Sequence, residues 1–238
     1  MKITEYENDL KYEVAPMTCD RVIKDTIKSP LPNMSHYMAI IGGPGKGKSS
    51  LMMTMLTHPE MFHKAYHNVF VVMPKSSRAS LSGNPFKDHP EDKLFDELTP
   101  KVLQYVHEYC KVGSEEKHWS LLILDDCAAE LKNKEVERVL KYLIWNRRHL
   151  KLSIWILSQS FNAMPLSIRK ALSHCIMFKP SNKKETEAIF SELVFQSREQ
   201  QEALTHHCYQ EGDQHAFIFL DCAKGHVHKN FNRIELAE

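Results

Sequence analysis

Glycine is scarce in this 238-residue chain: there are eight, and four of them fall between Gly42 and Gly47. A glycine cluster in a glycine-poor chain marks backbone that must turn sharply or approach something closely. Cysteine is also sparse. Cys19, Cys110, Cys127, Cys175, Cys208 and Cys222 are scattered without a C-x-x-C pair, which predicts free, mostly buried thiols and excludes a disulfide scaffold. His206, His207, Cys208, Cys222, His226 and His228 lie near one another in sequence, but their spacing fits no zinc pattern, so no metal is assigned to them. Long apolar runs are missing. Leu121-Leu122-Ile123-Leu124 is far too short to span a bilayer, and Met1 to Glu7 lacks the apolar stretch of a signal peptide. The expectation is a soluble, intracellular protein with no membrane partner. Charge of one sign is lacking too. A formal net charge of +1 argues neither for nor against nucleic acid, and Lys75, Arg78, Lys132, Lys134, Lys179, Lys183 and Lys184 read as solvated surface unless they share a groove.

What is present suits one α/β core, with 42% hydrophobic and 26% charged residues and no internal repeat. Apolar strands are expected at Tyr37–Ile41, Val69–Val72, Ser120–Asp125, Ser153–Ser158, Cys175–Phe178 and Ala216–Leu220, the last clear one. Helices are expected from Ser49, over Lys93 to Cys110, and over Glu130 to His149. Lys75 to Asp92, with Gly83, Pro85 and Pro90, has the composition of a long functional loop. Short apolar strands alternating with helices predict a mainly parallel sheet covered on both faces.

The glycine cluster belongs to Gly42-Gly43-Pro44-Gly45-Lys46-Gly47-Lys48-Ser49-Ser50, which fits G-x-x-x-x-G-K-[ST] between a strand and a helix. Such a loop turns its N–H groups toward phosphate oxygens, and the helix N-terminus adds partial positive charge. Lys48 is expected on the β- and γ-phosphates, the Ser49 hydroxyl on Mg²⁺, and Lys46 at the rim as a spare cation. Leu121-Leu122-Ile123-Leu124-Asp125-Asp126 is a buried strand ending in two carboxylates, the pattern of a Walker B element. Asp125 is expected to hold the Mg²⁺ shell. Asp126 stands where a glutamate often activates water; with a side chain one methylene shorter, Glu130 is the alternative base.

Gln159, just past the strand ending Trp155-Ile156-Leu157-Ser158, can sense the γ-phosphate or the lytic water. Arg147 and Arg148 close the long helix and Arg169 follows Pro165; no local acidic partner for either site is evident in the sequence. Each is either a helix cap or an arginine finger reaching a neighbouring subunit. Arg147 and Arg148 are expected on the carboxyl edge of the sheet.

The order of these elements resembles a family. The glycine loop, a second strand ending in Pro74, Leu124-Asp125-Asp126, Arg147-Arg148-His149, Ser158-Gln159-Ser160, Pro165 to Arg169 and Cys175 to Phe178 are similar to the genome-packaging ATPases of large DNA viruses and virophages, in the FtsK–HerA superfamily. The resemblance covers roughly Tyr37 to Val194. It implies a RecA-like core in a homo-oligomeric ring that hydrolyses ATP at subunit interfaces and pulls double-stranded DNA into a capsid. Capsid proteins would be partners, and the host-cell cytoplasm or the virion the location. Residues 1–35 and 195–238 read as terminal extensions around a core of 36–194, the latter packed on the core. The sequence departs from cellular relatives in ending the acidic strand Asp-Asp where Asp-Glu is commoner. Two other classes stay open: a nucleotide or nucleoside kinase using residues 75–92 as a lid, and a nucleotide-switched scaffold.

Overall fold

The computed structural model describes residues 22–79, 86–180, 182–210 and 214–235. Six strands run parallel. β1 (Tyr37–Ile41) leads through the glycine loop into helix α1 (Lys48–Thr57); β2 (Asn68–Val72) leads into a one-turn helix, α2 (Lys75–Ala79), and later the two-residue β3 (Leu94–Phe95). Helix α3 (Pro100–Glu115), β4 (Ser120–Asp125), α4 (Lys134–Asn146) and β5 (Leu152–Ser158) follow, then α5 (Leu166–Arg169) and β6 (His174–Phe178). After α6 (Lys183–Leu193) and α7 (Arg198–Cys208) the chain returns antiparallel as β7 (Phe217–Asp221), β8 (His226–Lys229) and β9 (Asn232–Ile234). The order across the sheet is β3-β2-β4-β5-β1-β6-β7-β8-β9. Residues beyond 194 therefore continue the same sheet.

The sheet is buried because its strands are apolar on both faces. Every residue of β1, β4, β5, β6 and β7 is buried, as the continuous hydrophobic runs require. Tyr37, Ala39 and Ile41 face one core and Met38 and Ile40 the other, the two-residue period of a strand. Helices α3 to α7 cover the first face. The second is covered by α1 and by irregular chain, with Ile23, Ile27 and Leu31 packed beside Met52, Met55 and Phe62. Helix α4 shows how the first face is held. Asn133 accepts from the N–H groups of Glu135 and Val136, capping the helix, and Val136, Leu140, Leu143 and Ile144 recur on its buried side. Removing one of them, as in Leu140→Ala, would cost roughly 2–5 kcal/mol.

Several element boundaries differ from the sequence expectation. The helix expected over Lys93 to Cys110 begins only at Pro100, because Thr99 caps it by accepting from Val102 N–H and Leu94 and Phe95 pair with β2 instead. The helix expected from Glu130 is a 3₁₀ turn, Glu130–Lys132, broken from α4 by the Asn133 cap. The expected loop from Lys75 opens with α2, whereas residues 80–85 lie outside the described residues. Strands β8 and β9 follow the strand expected to be the last clear one. β8 reads His-Val-His-Lys, with one apolar residue, so no apolar alternation marks it in the sequence.

Candidate active site

Parallel strands deliver their following loops to one edge, so the ends of β2, β4, β5 and β1 meet there. The glycine loop is fixed first. Gly42 N–H donates to the Ser158 carbonyl at 3.1 Å, tying the loop to the end of β5. A Cβ on Gly42 would stand 2.9 Å from that of Phe178, the buried last residue of β6, so no larger residue fits without movement. Gly47, at φ +101°, caps α1 in the left-handed region that glycine adopts without strain. Nothing lies within 4 Å of a Cβ placed on Gly43 or Gly45. Pro44, Lys46 and Ser50 complete the loop and the first turn of α1, and Ser50 accepts through its carbonyl from the Thr54 hydroxyl.

Lys48 Nζ donates to the carbonyls of Gly42 at 2.7 Å and Gly43 at 3.2 Å, holding its ammonium over the loop. Burial lowers its pKa, against the attraction of Asp125 and Asp126. Across the cavity, the Ser49 hydroxyl donates to Asp125 Oδ2 at 3.3 Å. Burial pushes Asp125 up to about 6 despite Lys48 and the Ser49 hydrogen bond. Both members of this facing pair are thus shifted toward neutrality; desolvation outweighs their mutual attraction. Two oxygens, one from a hydroxyl and one from a carboxylate, beside a helix N-terminus form a donor set of the kind Mg²⁺ takes together with waters and phosphates.

Asp126 turns the chain at φ +58°, a conformation an aspartate tolerates better than most side chains. Its carboxylate is held from two sides. Ser77 Oγ of α2 donates to Oδ2 at 3.0 Å, and Gln159 Nε2 donates to Oδ1 at 3.4 Å. Lys48, Ser49, Met73, Ser77, Asp125, Asp126, Leu157 and Gln159 line one cavity of about 130 Å³. Glu130 is not among its lining residues. Cys127, buried just below, donates from Sγ to the Asp125 and Val72 carbonyls and anchors the turn to β2.

The arginines are placed differently from expectation. A crossover helix between parallel strands runs back to the edge where the next strand begins, so α4 ends at the amino edge. Arg147 and Arg148 therefore stand there, about 20 Å from the cavity along the seven residues of β5. Arg147 Nη1 donates to the Ile144 carbonyl at 2.9 Å, while Arg148 is exposed. Arg169 pairs with an acid distant in sequence, Glu192 at 2.9 Å, with Asn162 at 2.7 Å and the Phe161 ring beneath its guanidinium. It is committed inside its own chain.

The amino edge also holds a buried histidine pair. Trp155 Nε1 donates to His36 Nε2 at 2.8 Å, and His36 Nδ1 donates to the Met34 carbonyl at 2.9 Å. Burial holds His36 and neighbouring His174 down to about 3, with ring centroids 6.0 Å apart. Of the basic residues noted in the sequence, Lys75 and Arg78 both pair with Asp96, whereas Lys179 and Lys183 line a groove between α6 and α7. Among the described residues no cluster of His, Cys, Asp or Glu suits a metal ion, and Cys208 sits in the core. Sequence reasoning missed Ser77 and His215. Ser77 followed from Pro74 ending a strand beside β4; His215 reaches the loop only through the antiparallel return of β7.

Comparison with known proteins points the same way. The Poxvirus A32 protein family matches residues 25–206. Uncharacterized protein 015R of Frog virus 3 (isolate Goorha) is 24% identical over 168 residues, covering 66% of this chain and 49% of its own length. The chain thus spans about half the length of that curated relative. The genome packaging NTPase B204 from Sulfolobus turreted icosahedral virus 2, solved with AMPPCP, superimposes with a TM-score of 0.62 at 15% identity over 86% of this chain and 99% of that one. EssC (ATPases 2 and 3) from Geobacillus thermodenitrificans matches with a TM-score of 0.57 at 14% identity, over 85% of this chain and 40% of that one. At these identities the structural likeness establishes a P-loop ATPase fold.

Proposed function

We propose that this chain, which belongs to the Poxvirus A32 protein family, hydrolyses ATP as the motor subunit of a viral genome-packaging machine. The observation that carries the reading is one cavity joining Lys48, Ser49, Asp125, Asp126 and Gln159. Strand β5 lies between β1 and β4, so Gln159 comes between the phosphate loop and the carboxylates. A polar side chain there suits water as the acceptor and leaves little room for a nucleoside, which disfavours a kinase.

The residues divide the work as follows. The loop from Gly42 to Ser50 wraps the phosphates, and Lys48 neutralises the β- and γ-oxygens. Ser49 and Asp125 would hold Mg²⁺, which when bound withdraws charge from the γ-phosphate. Asp126 accepts the proton of the attacking water. Gln159 and Ser77 hold its carboxylate in place while each oxygen keeps a further lone pair. Glu130, outside the cavity lining, is the less favoured candidate for the base.

The placement of the arginines supports a contribution from a neighbouring subunit. Within its own chain neither Arg147 nor Arg148 reaches the cavity from the amino edge, and Arg169 is tied to Glu192. Arg148 serves as a finger when the amino edge of one subunit faces the carboxyl edge of the next, a head-to-tail contact of the kind that closes rings. In this reading the assembly moves double-stranded DNA into a capsid, docks on capsid proteins, and works in the host-cell cytoplasm or the virion.

Phosphate release measured with and without double-stranded DNA tests the proposal. DNA-stimulated, Mg²⁺-dependent turnover that Lys48→Ala cuts by about 10²–10³-fold is the expected result. Turnover that requires a nucleoside acceptor would establish a kinase, and no turnover under any condition a scaffold.

A further inference from the structure

The strand order sets the direction in which a triphosphate lies. Along the carboxyl edge come Ser77 after β2, Asp125 and Asp126 at β4, Gln159 at β5, the loop after β1, and Phe178 at β6. β7 is antiparallel to β6, so its beginning, preceded by His215, stands on the same edge. Every group suited to the terminal phosphate and its metal lies on the β4 and β5 side of the loop. A triphosphate seated with its γ end there directs its nucleoside to the other side, over β6 and β7.

On that side His215 lies against the loop. Its Nδ1 is 3.2 Å from the Lys46 carbonyl oxygen and 3.4 Å from the place a Cβ on Gly47 would take. A bond to a carbonyl requires the hydrogen on Nδ1, and in the neutral ring that tautomer leaves Nε2 as an acceptor. The residue as a whole is exposed, which suits a ligand contact through Nε2. We propose that His215 is a nucleotide-binding residue, accepting through Nε2 a hydrogen bond from the nucleoside of ATP, either from a ribose hydroxyl or from the exocyclic amine. The proposal rests on the ATP-site reading above and adds the face of the loop that reading leaves unassigned.

The alternative is that His215 only props the loop through Lys46. Binding of ATP and of inorganic tripolyphosphate, measured by calorimetry on wild type, His215→Ala, His215→Asn and Lys48→Ala, separates the two. The Asn amide nitrogen takes the place of Nδ1 and can keep the Lys46 bond while lacking Nε2. The expected result is that His215→Ala and His215→Asn each weaken ATP about tenfold and leave tripolyphosphate unchanged. The deficit should vanish with 2′,3′-dideoxy-ATP if the donor is the ribose, or with inosine triphosphate if it is the amine. Equal weakening of ATP and tripolyphosphate, rescue by His215→Asn, no effect at all, or a deficit that persists with both analogues overturns the proposal. Failure of the underlying reading looks different: wild type would bind neither ligand, or Lys48→Ala would bind both as wild type does.

Discussion

The two edges of the parallel sheet are built from the same strands and put to opposite use. At the carboxyl edge Lys48, Asp125, Asp126 and Gln159 surround a cavity, with Asp126 exposed and Asp125 partly desolvated. At the amino edge His36, Trp155 and His174 are packed into the core, with both ring nitrogens of His36 bonded, to Trp155 and Met34, and Nδ1 of His174 bonded to Ser173. Burial acts on both edges. At one it raises the pKa of an acid; at the other it keeps two imidazoles neutral. The contrast teaches that loops after parallel strands carry the chemistry, while the loops before them close the core.

The contrast breaks first, and most severely, at Asp126. If it is the base, Asp126→Asn should bind ATP normally and hydrolyse it about 10²–10⁴-fold more slowly, read by single-turnover kinetics. A fully active Asp126→Asn together with a dead Glu130→Gln would move the base to Glu130. Lys48→Ala should lose about 10²–10³-fold and weaken nucleotide binding as well.

The next effect is on stability against pH. His36 and His174 have folded pKa values near 3, below an unfolded value near 6.5, so the unfolded chain binds more protons in that window. Their contribution is complete above pH 6.5 and is lost as pH falls toward 3, by roughly 1.4 kcal/mol per pH unit for each histidine. Asp125, raised from 3.8 to about 6, works with the opposite sign and offsets about one of them between those values. Thermal melts should therefore show the melting temperature falling on acidification below pH 6.5. Asp125→Asn should steepen the fall and His36→Gln should flatten it. A melting temperature independent of pH between 6.5 and 4.5 would contradict the buried neutral pair.

Smaller still is Gly42→Ala, whose methyl meets Phe178 and should cost about 1–3 kcal/mol of stability in a denaturant titration. Phe178→Leu keeps the Cβ that the methyl meets at 2.9 Å, so pairing the two should not recover that loss. Ser77→Ala removes one of the two hydrogen bonds on Asp126 and should lower kcat by about tenfold or less, with little change in KM.

Much of the carboxyl edge was legible in the sequence because its causes are local. A glycine loop between strand and helix, and a buried strand ending in acids, each carry their placement within about ten residues. The Asn133 and Thr99 caps were legible in principle, yet apolar periodicity alone ran past both. The amino edge was not legible. Whether Arg148 stands beside or opposite Gln159 depends on the direction in which α4 crosses, and His215 reaches the loop only because β7 runs back beside β6. The acid that binds Arg169 lies 23 residues away on another helix. These are facts of topology, and no short window of sequence contains them.

The two strands that end the sheet are short. β3 has two residues and β9 has three, the latter carrying exposed Asn232 and Arg233. Such blunt margins present little continuous main chain to another sheet, which protects against edge-to-edge aggregation. They also limit how copies of this chain can meet. A backbone zipper would weld neighbours into one rigid slab, whereas contacts made by side chains can let go and re-form.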